Sequence, residues 1–173
     1  MDAGLHYLQS EAEFVSPAEL LTFLQEFYRD ALGLFDARQG IARSVAGYDA
    51  NNGYQQVIGR QEVHLRWLSD AIAALGGTAP ESPEQGGNVP TPTVKALIER
   101  DAATQKAFIQ RWSPLIARVT NARHRKMLAL ILGEMNEHLR VLQQAAEGRA
   151  DLLGRHSDGK VLRGSVIAAR PRN

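Results

Sequence analysis

The sequence predicts an all-α protein, a four-helix bundle of two antiparallel helical hairpins joined by a long crossover. Apolar residues recur every three to four positions over long stretches, and β-branched alternation is nearly absent before the C-terminal tail. Glycine and proline crowd into one internal stretch, GGTAPESPEQGGNVPTPT at 76–93, which separates the two hairpins.

The first helix is expected over about 17–46. Ser16-Pro17 with Glu19 supplies an N-cap serine, a proline at the first position and an acid in the first turn. Its apolar stripe runs through Leu20, Leu24, Phe27/Tyr28, Ala31, Leu34/Phe35, Ile41/Ala42 and Val45. GYDANNG at 47–53 reads as a turn. The second helix, about 52–75, carries Val57/Ile58, Gln61, His64/Leu65, Leu68 and Ile72 on one face and stops at Gly76-Gly77. The third, about 92–119, has Leu97/Ile98, Asp101, Thr104/Gln105, Phe108 and Trp112 inward, with a kink or short break expected at Pro114. The fourth, about 121–147, turns Leu128, Ile131, Met135, His138 and Leu142 inward. Short links within each pair imply hairpins. The sixteen or so residues between the pairs can span ~53 Å when extended, against ~36 Å for a 24-residue helix, so they can cross the bundle and leave helices two and three parallel.

The 173 residues are enough for one domain with a sizeable core, expected at 1–150, followed by a basic tail at 151–173. A net charge of +1 gives no reason to expect nucleic acid or an acidic membrane as partner. Without cysteine, disulfides and thiolate metal sites are excluded. The N-terminal MDAGLHYLQSEAEF has neither the basic start nor the apolar run of a secretory signal, and no window approaches the ~20 apolar residues of a membrane span. A cytoplasmic protein is expected. A bundle of this kind is also compatible with a homodimer.

Two similar stretches carry the chemistry. GRQEVHLRWLSD (59–70) and GEMNEHLRVLQQ (133–144) share His-Leu-Arg-x-Leu, which sets His64 and His138 at matching places in the second and fourth helices. The first and third helices also align, Tyr28 on Asp101 and Phe35 on Phe108, so the chain reads as an internal repeat of one hairpin. The inward stripes then gather Tyr28, Gln61, His64, Asp101, Met135 and His138 in the middle. A carboxylate there needs a cation, a hydrogen-bond network or a metal, because burying it unpaired costs several kcal/mol.

Two hairpins, a long crossover and inward histidines at repeated positions resemble the ferritin-like superfamily, including rubrerythrin-type and di-iron carboxylate proteins, over roughly 16–147. The resemblance implies a Glu from each of the first and third helices and Glu-x-x-His from the second and fourth. Tyr28, Asp101, Gln61 and Met135 stand at the four Glu positions, so both histidines and one acid remain. The site is degenerate, and the resemblance implies a binding or assembly role with at most one metal ion in the core. The alternative is a non-haem iron or manganese oxidoreductase acting on oxygen or peroxide.

Three arrangements suit the remaining residues. His64, Asp101 and His138 form a two-His-one-carboxylate site for one iron or manganese ion, assisted by Glu134, which lies one turn from His138. Or they form a metal-free buried network, with Asp101 accepting from a histidine and from Tyr28 or Gln61. Or each histidine is a separately satisfied core residue. Glu62 and Glu137 point elsewhere. Trp67 and Trp112 read as packing, and Arg29/Asp30 as a solvated face. In the tail, HSDGKVLRGSVIAARPR resembles the peptides that load ferritin-like cargo into encapsulin shells; a flexible tail or a dimer contact also fits the segment.

Overall fold

A computed structural model of the protein describes residues 16–82, 93–149 and 152. It contains four helices, α1 (Pro17–Ala42), α2 (Tyr48–Ala74), α3 (Val94–Ala117) and α4 (Ala122–Ala146), and no strand among the described residues. The link at 83–92 and the tail beyond 152, with its shell-loading resemblance, lie outside the described residues.

The helix ends follow from local chemistry. At α1, Ser16 Oγ accepts from the Glu19 N–H at 3.2 Å, and the Glu19 carboxylate accepts from the Ser16 N–H at 3.1 Å, a complete capping box. Thr93 and Asn121 cap α3 and α4 with one bond each, their side-chain oxygens accepting from the N–H groups of Ala96 and His124. At the end of α2, Gly76 takes φ +79°, a backbone that favours glycine, and the Gly77 N–H turns back to the Ile72 carbonyl.

Two boundaries differ from the sequence expectation. α1 ends at Ala42 rather than 46, and most of the expected 47–53 turn lies inside α2, which begins at Tyr48. Asn51 is the reason. From the first turn of α2 its amide donates to the carbonyls of Ala42 (3.1 Å) and Val45 (3.0 Å), closing the open end of α1. The helix α3 runs through Pro114 without a break and ends three residues later, where the proline removes only a late hydrogen bond.

Cross-helix contacts fix the directions. Phe23 and Phe27 meet Trp112, whereas Arg38 meets Asp101, so α1 and α3 are antiparallel. Gly53 lies by Val141 and His64 by Glu134, so α2 and α4 are antiparallel too. Each hairpin is antiparallel by its own links, which leaves α2 parallel to α3. Around the bundle the order is α1, α2, α4, α3, with α2 and α3 on a diagonal. The long connection therefore joins two parallel helices, as expected, and the structure sets them on a diagonal.

The core is divided. One apolar cluster gathers Phe27, Leu68, Phe108, Trp112, Leu128 and Met135, its aromatic rings packed edge to face at 5.1–5.3 Å between centroids. The other gathers Ile41, Tyr54, Ile58, Ile98, Ala102 and Leu142 toward the opposite end. Between them lies a cross-section of buried polar side chains: Arg38, Gln61, His64, Asp101, Gln105 and His138. Among the described residues, no helix is long and apolar enough to cross a membrane.

Candidate functional site: a polar layer and the groove beside it

The layer has two halves. On the α1–α3 side, Arg38 is completely buried and clamps Asp101 through both carboxylate oxygens, Nε to Oδ2 at 2.9 Å and Nη2 to Oδ1 at 2.7 Å. The same Nη2 donates to Gln105 Oε1 at 2.8 Å, and Gln105 Nε2 donates to the Met135 carbonyl of α4 at 2.7 Å. This is a charge-assisted, bidentate pair extended by an amide relay across three helices. Near it lies Tyr54, whose hydroxyl is pushed well above its ordinary range by burial and then by the negative charge of Asp101.

On the α2–α4 side, Arg60 donates Nε and Nη2 to the Glu134 carboxylate at 2.5–2.9 Å, and His64 Nε2 contacts Glu134 Oε2 at 2.8 Å. A neutral His64 must carry its hydrogen on Nε2 for this contact, which leaves Nδ1 buried without a hydrogen-bond partner. The Arg60 hydrogen bond holds the Glu134 carboxyl below its usual range, and His64 adds to the effect. Burial lowers His64, partly offset by Glu134. His138 stacks near His64, ring centroids 6.2 Å apart, and its Nδ1 is also buried without a partner. Burial holds it down at about 4, helped by the charge of Arg38. Both histidines are therefore neutral at neutral pH.

The expected residues are thus only partly together. His64, His138, Gln61 and Met135 lie in or beside the layer, and Glu134 reaches its edge. Asp101 is in the layer but answers to Arg38. Tyr28 packs half-buried against the aromatic cluster. The antiparallel pairing explains this: the part of α1 opposite Asp101 is its C-terminal end, where Arg38 stands. The α3 side chain level with Met135 is Gln105, one turn after Asp101. Arg38 and Arg60 carry the layer without a signal of their own in the repeat, and Gln105, expected on the inward stripe of α3, joins Arg38 to α4. The signal for Arg38 was the gap in the α1 stripe between Leu34/Phe35 and Ile41, where an inward position must fall. Asp30 is less solvated than its charge implied, since it accepts from Trp112 Nε1 at 3.1 Å and pairs with Arg111.

Beside His138 the layer opens into a groove of ≈ 480 Å³ between α2 and α4. Its walls include Val57, Arg60, Glu134, Glu137, Arg140 and Val141, and Leu152 closes one end against Gly53.

A scan against protein families and a search of curated proteins found no match. Among solved structures, the chain is similar to a crystal structure of a two-domain protein from Anabaena variabilis that contains DJ-1/ThiJ/PfpI-like and ferritin-like domains. The TM-score is 0.65 at 14% identity, over 87% of this chain and 42% of that one. The fold is a ferritin-like four-helix bundle. The chain spans less than half the length of that neighbour.

A ferritin-like fold raises the question of a di-iron centre, and the residues present do not fit one. Such a centre needs four carboxylates and two histidines. The layer offers Asp101 and Glu134, and each is already held by two guanidinium nitrogens. Among the described residues, no group of three or more His, Asp or Glu side chains is arranged to hold a metal ion.

Proposed function

We propose that this ferritin-like bundle is a binding module that has exchanged the metal centre of the fold for guanidinium–carboxylate pairs, and that it binds its ligand in the groove between α2 and α4. The observation that carries the reading is Arg38. A permanent cation, fully buried and bidentate on Asp101, occupies the polar layer where a metal would need anionic donors. A second cation would meet its repulsion in a region of low dielectric. The groove supplies what the layer lacks, an accessible concavity of ligand size that combines apolar walls with convergent polar groups. The oxidoreductase alternative requires a redox metal with open coordination positions, for which these donors give little support.

One contact favours a second reading. Glu134 joins His64 and stands near His138, and Arg60, partly exposed, can swing away from it. That set would take a single divalent ion. Elemental analysis after loading with ferrous iron, manganese or zinc separates the two. The binding-module reading expects far less than one equivalent, unchanged in the His64→Ala/His138→Ala variant. One equivalent in the parent protein, lost in the variant, overturns it in favour of the second reading.

A further inference from the structure

We propose that the α2–α4 groove takes an uncharged organic molecule with an apolar body and a hydroxyl group bonded to His138, of which a medium-chain alcohol is the simplest member. The proposal rests on the binding-module reading and adds the chemistry of the ligand.

Shape sets the body of the guest. Val57 on α2 and Val141 on α4 supply apolar wall from the two sides of the groove, and Leu152 lies against Gly53 at one end. A Cβ on Gly53 would already stand 3.4 Å from Leu152 Cδ1 and 3.6 Å from Val141 Cγ1, so a larger side chain there would fill the space. The volume of ≈ 480 Å³ sits in the range of small-ligand sites rather than of single waters or ions.

Charge then removes most classes of guest. Both acids on the wall are matched: Glu134 holds Arg60, and Glu137 holds Arg140 Nε at 3.1 Å. Arg140 also donates Nη1 to Gln144 at 3.2 Å, and Arg149 is engaged as well. A carboxylate or an amine would have to break one of these pairs, or give up its water with no counter-charge to receive it. An uncharged guest leaves them intact.

One polar side chain on the wall has no such partner. His138 is only 8% exposed, it lines the groove, and its Nδ1 is buried without a hydrogen bond. Polar groups so far from water are nearly always bonded, so an unpartnered imidazole beside a cavity of ligand size marks the place for a bond from a guest. Burial keeps the ring neutral, with one N–H and one bare nitrogen, and no hydrogen bond among the described residues holds it in one tautomer. It can therefore donate to a guest or accept from one. A hydroxyl answers either tautomer without bringing a charge. An ether or a ketone answers only one, and an alkane neither.

The test is isothermal titration of the whole chain at neutral pH with 1-octanol, octanoate and octylamine. The alcohol should bind roughly tenfold or more tightly than either charged analogue. His138→Leu should weaken 1-octanol roughly tenfold, whereas His138→Gln, whose amide both donates and accepts, should stay within about threefold of the parent. Gly53→Leu should abolish binding, and so should Val141→Phe, which leaves the buried glycine in place; far-ultraviolet circular dichroism checks that each variant is folded. Octanoate or octylamine binding as tightly as 1-octanol, and lost in the plugged variants, overturns the uncharged-guest proposal while the binding-module reading stands. Equal binding of 1-octanol by the parent and by folded His138→Leu does the same. Binding untouched by either plug, or no binding of any probe to folded protein, overturns the proposal and the choice of groove together.

Discussion

Replacing Arg38 by alanine should be among the most damaging single changes available in this chain. The variant leaves the Asp101 carboxylate buried without its two guanidinium donors, in a layer where side chains on that side of the bundle are almost free of solvent. It also removes the donor to Gln105 Oε1. Breaking a buried pair from one side costs roughly 3–5 kcal/mol, because the abandoned charge keeps its desolvation penalty. Against a total stability of roughly 5–15 kcal/mol that is a large fraction. With a urea slope of about 2 kcal/mol/M, the midpoint should fall by about 2 M, read by far-ultraviolet circular dichroism and by Trp112 fluorescence. The double variant Arg38→Met/Asp101→Leu removes both charges and fills the volume, and should recover most of the loss. If Arg38→Ala cost less than about 1 kcal/mol, or the double variant unfolded as easily as the single one, the pair would not be what neutralises the layer.

Acid should weaken the bundle before its carboxylates titrate. His138 is displaced from about 6.5 in the unfolded chain to about 4 when folded, by burial and then by Arg38 and His64. Its contribution is complete above about pH 6.5 and is lost as pH falls through 4, because the unfolded chain takes up the proton first; about 3 kcal/mol is at stake. His64 moves in the same direction, while Glu134 and Arg60 face the pair with opposite charges. Urea midpoints at pH 7.5 and pH 4.5 measure this, and His138→Gln should flatten the difference. At the α1–α2 turn, Asn51→Ala should cost about 1–2 kcal/mol, since the carbonyls of Ala42 and Val45 lose their shared donor. Thermal unfolding reads that change, and a variant as stable as the parent would show that water replaces the amide without loss.

The architecture was legible because it is written in periodicity and in where the breakers fall. Leu20 to Ala42, Val57 to Ile72, Ile98 to Ile116 and Leu128 to Leu142 bury most of the side chains that their spacing marks, and the length of the 76–93 stretch allows the crossover. The polar layer was legible only on the helices whose motif repeats. His64 and His138 announce themselves by a shared motif, and the structure brings their rings near each other. Their partners obey a rule the alignment of halves does not contain. Superposing α1 on α3 pairs Tyr28 with Asp101, but the helices pack head to tail, so Asp101 meets Arg38 instead. An arginine inside an apolar stripe reads as a surface residue when its acid is 63 positions away. The α1–α2 boundary was misplaced for a similar reason: GYDANNG has the composition of a turn, yet Asn51 serves as a cap from within the first turn of a helix.

The polar cross-section has a mechanical consequence for the whole molecule. It separates an end cemented by Phe23, Phe27, Phe108 and Trp112 from an end held by smaller aliphatic side chains and Tyr54. Apolar cohesion scales with the area each end hides from water, so the two ends resist opening unequally. Backbone amides near the α1–α2 turn and the last turns of α4 should exchange with solvent through partial openings that leave the aromatic end shut. Gly53 and Leu152 lie at that looser end, so the groove draws its breathing room from the half of the bundle with the least to lose by loosening.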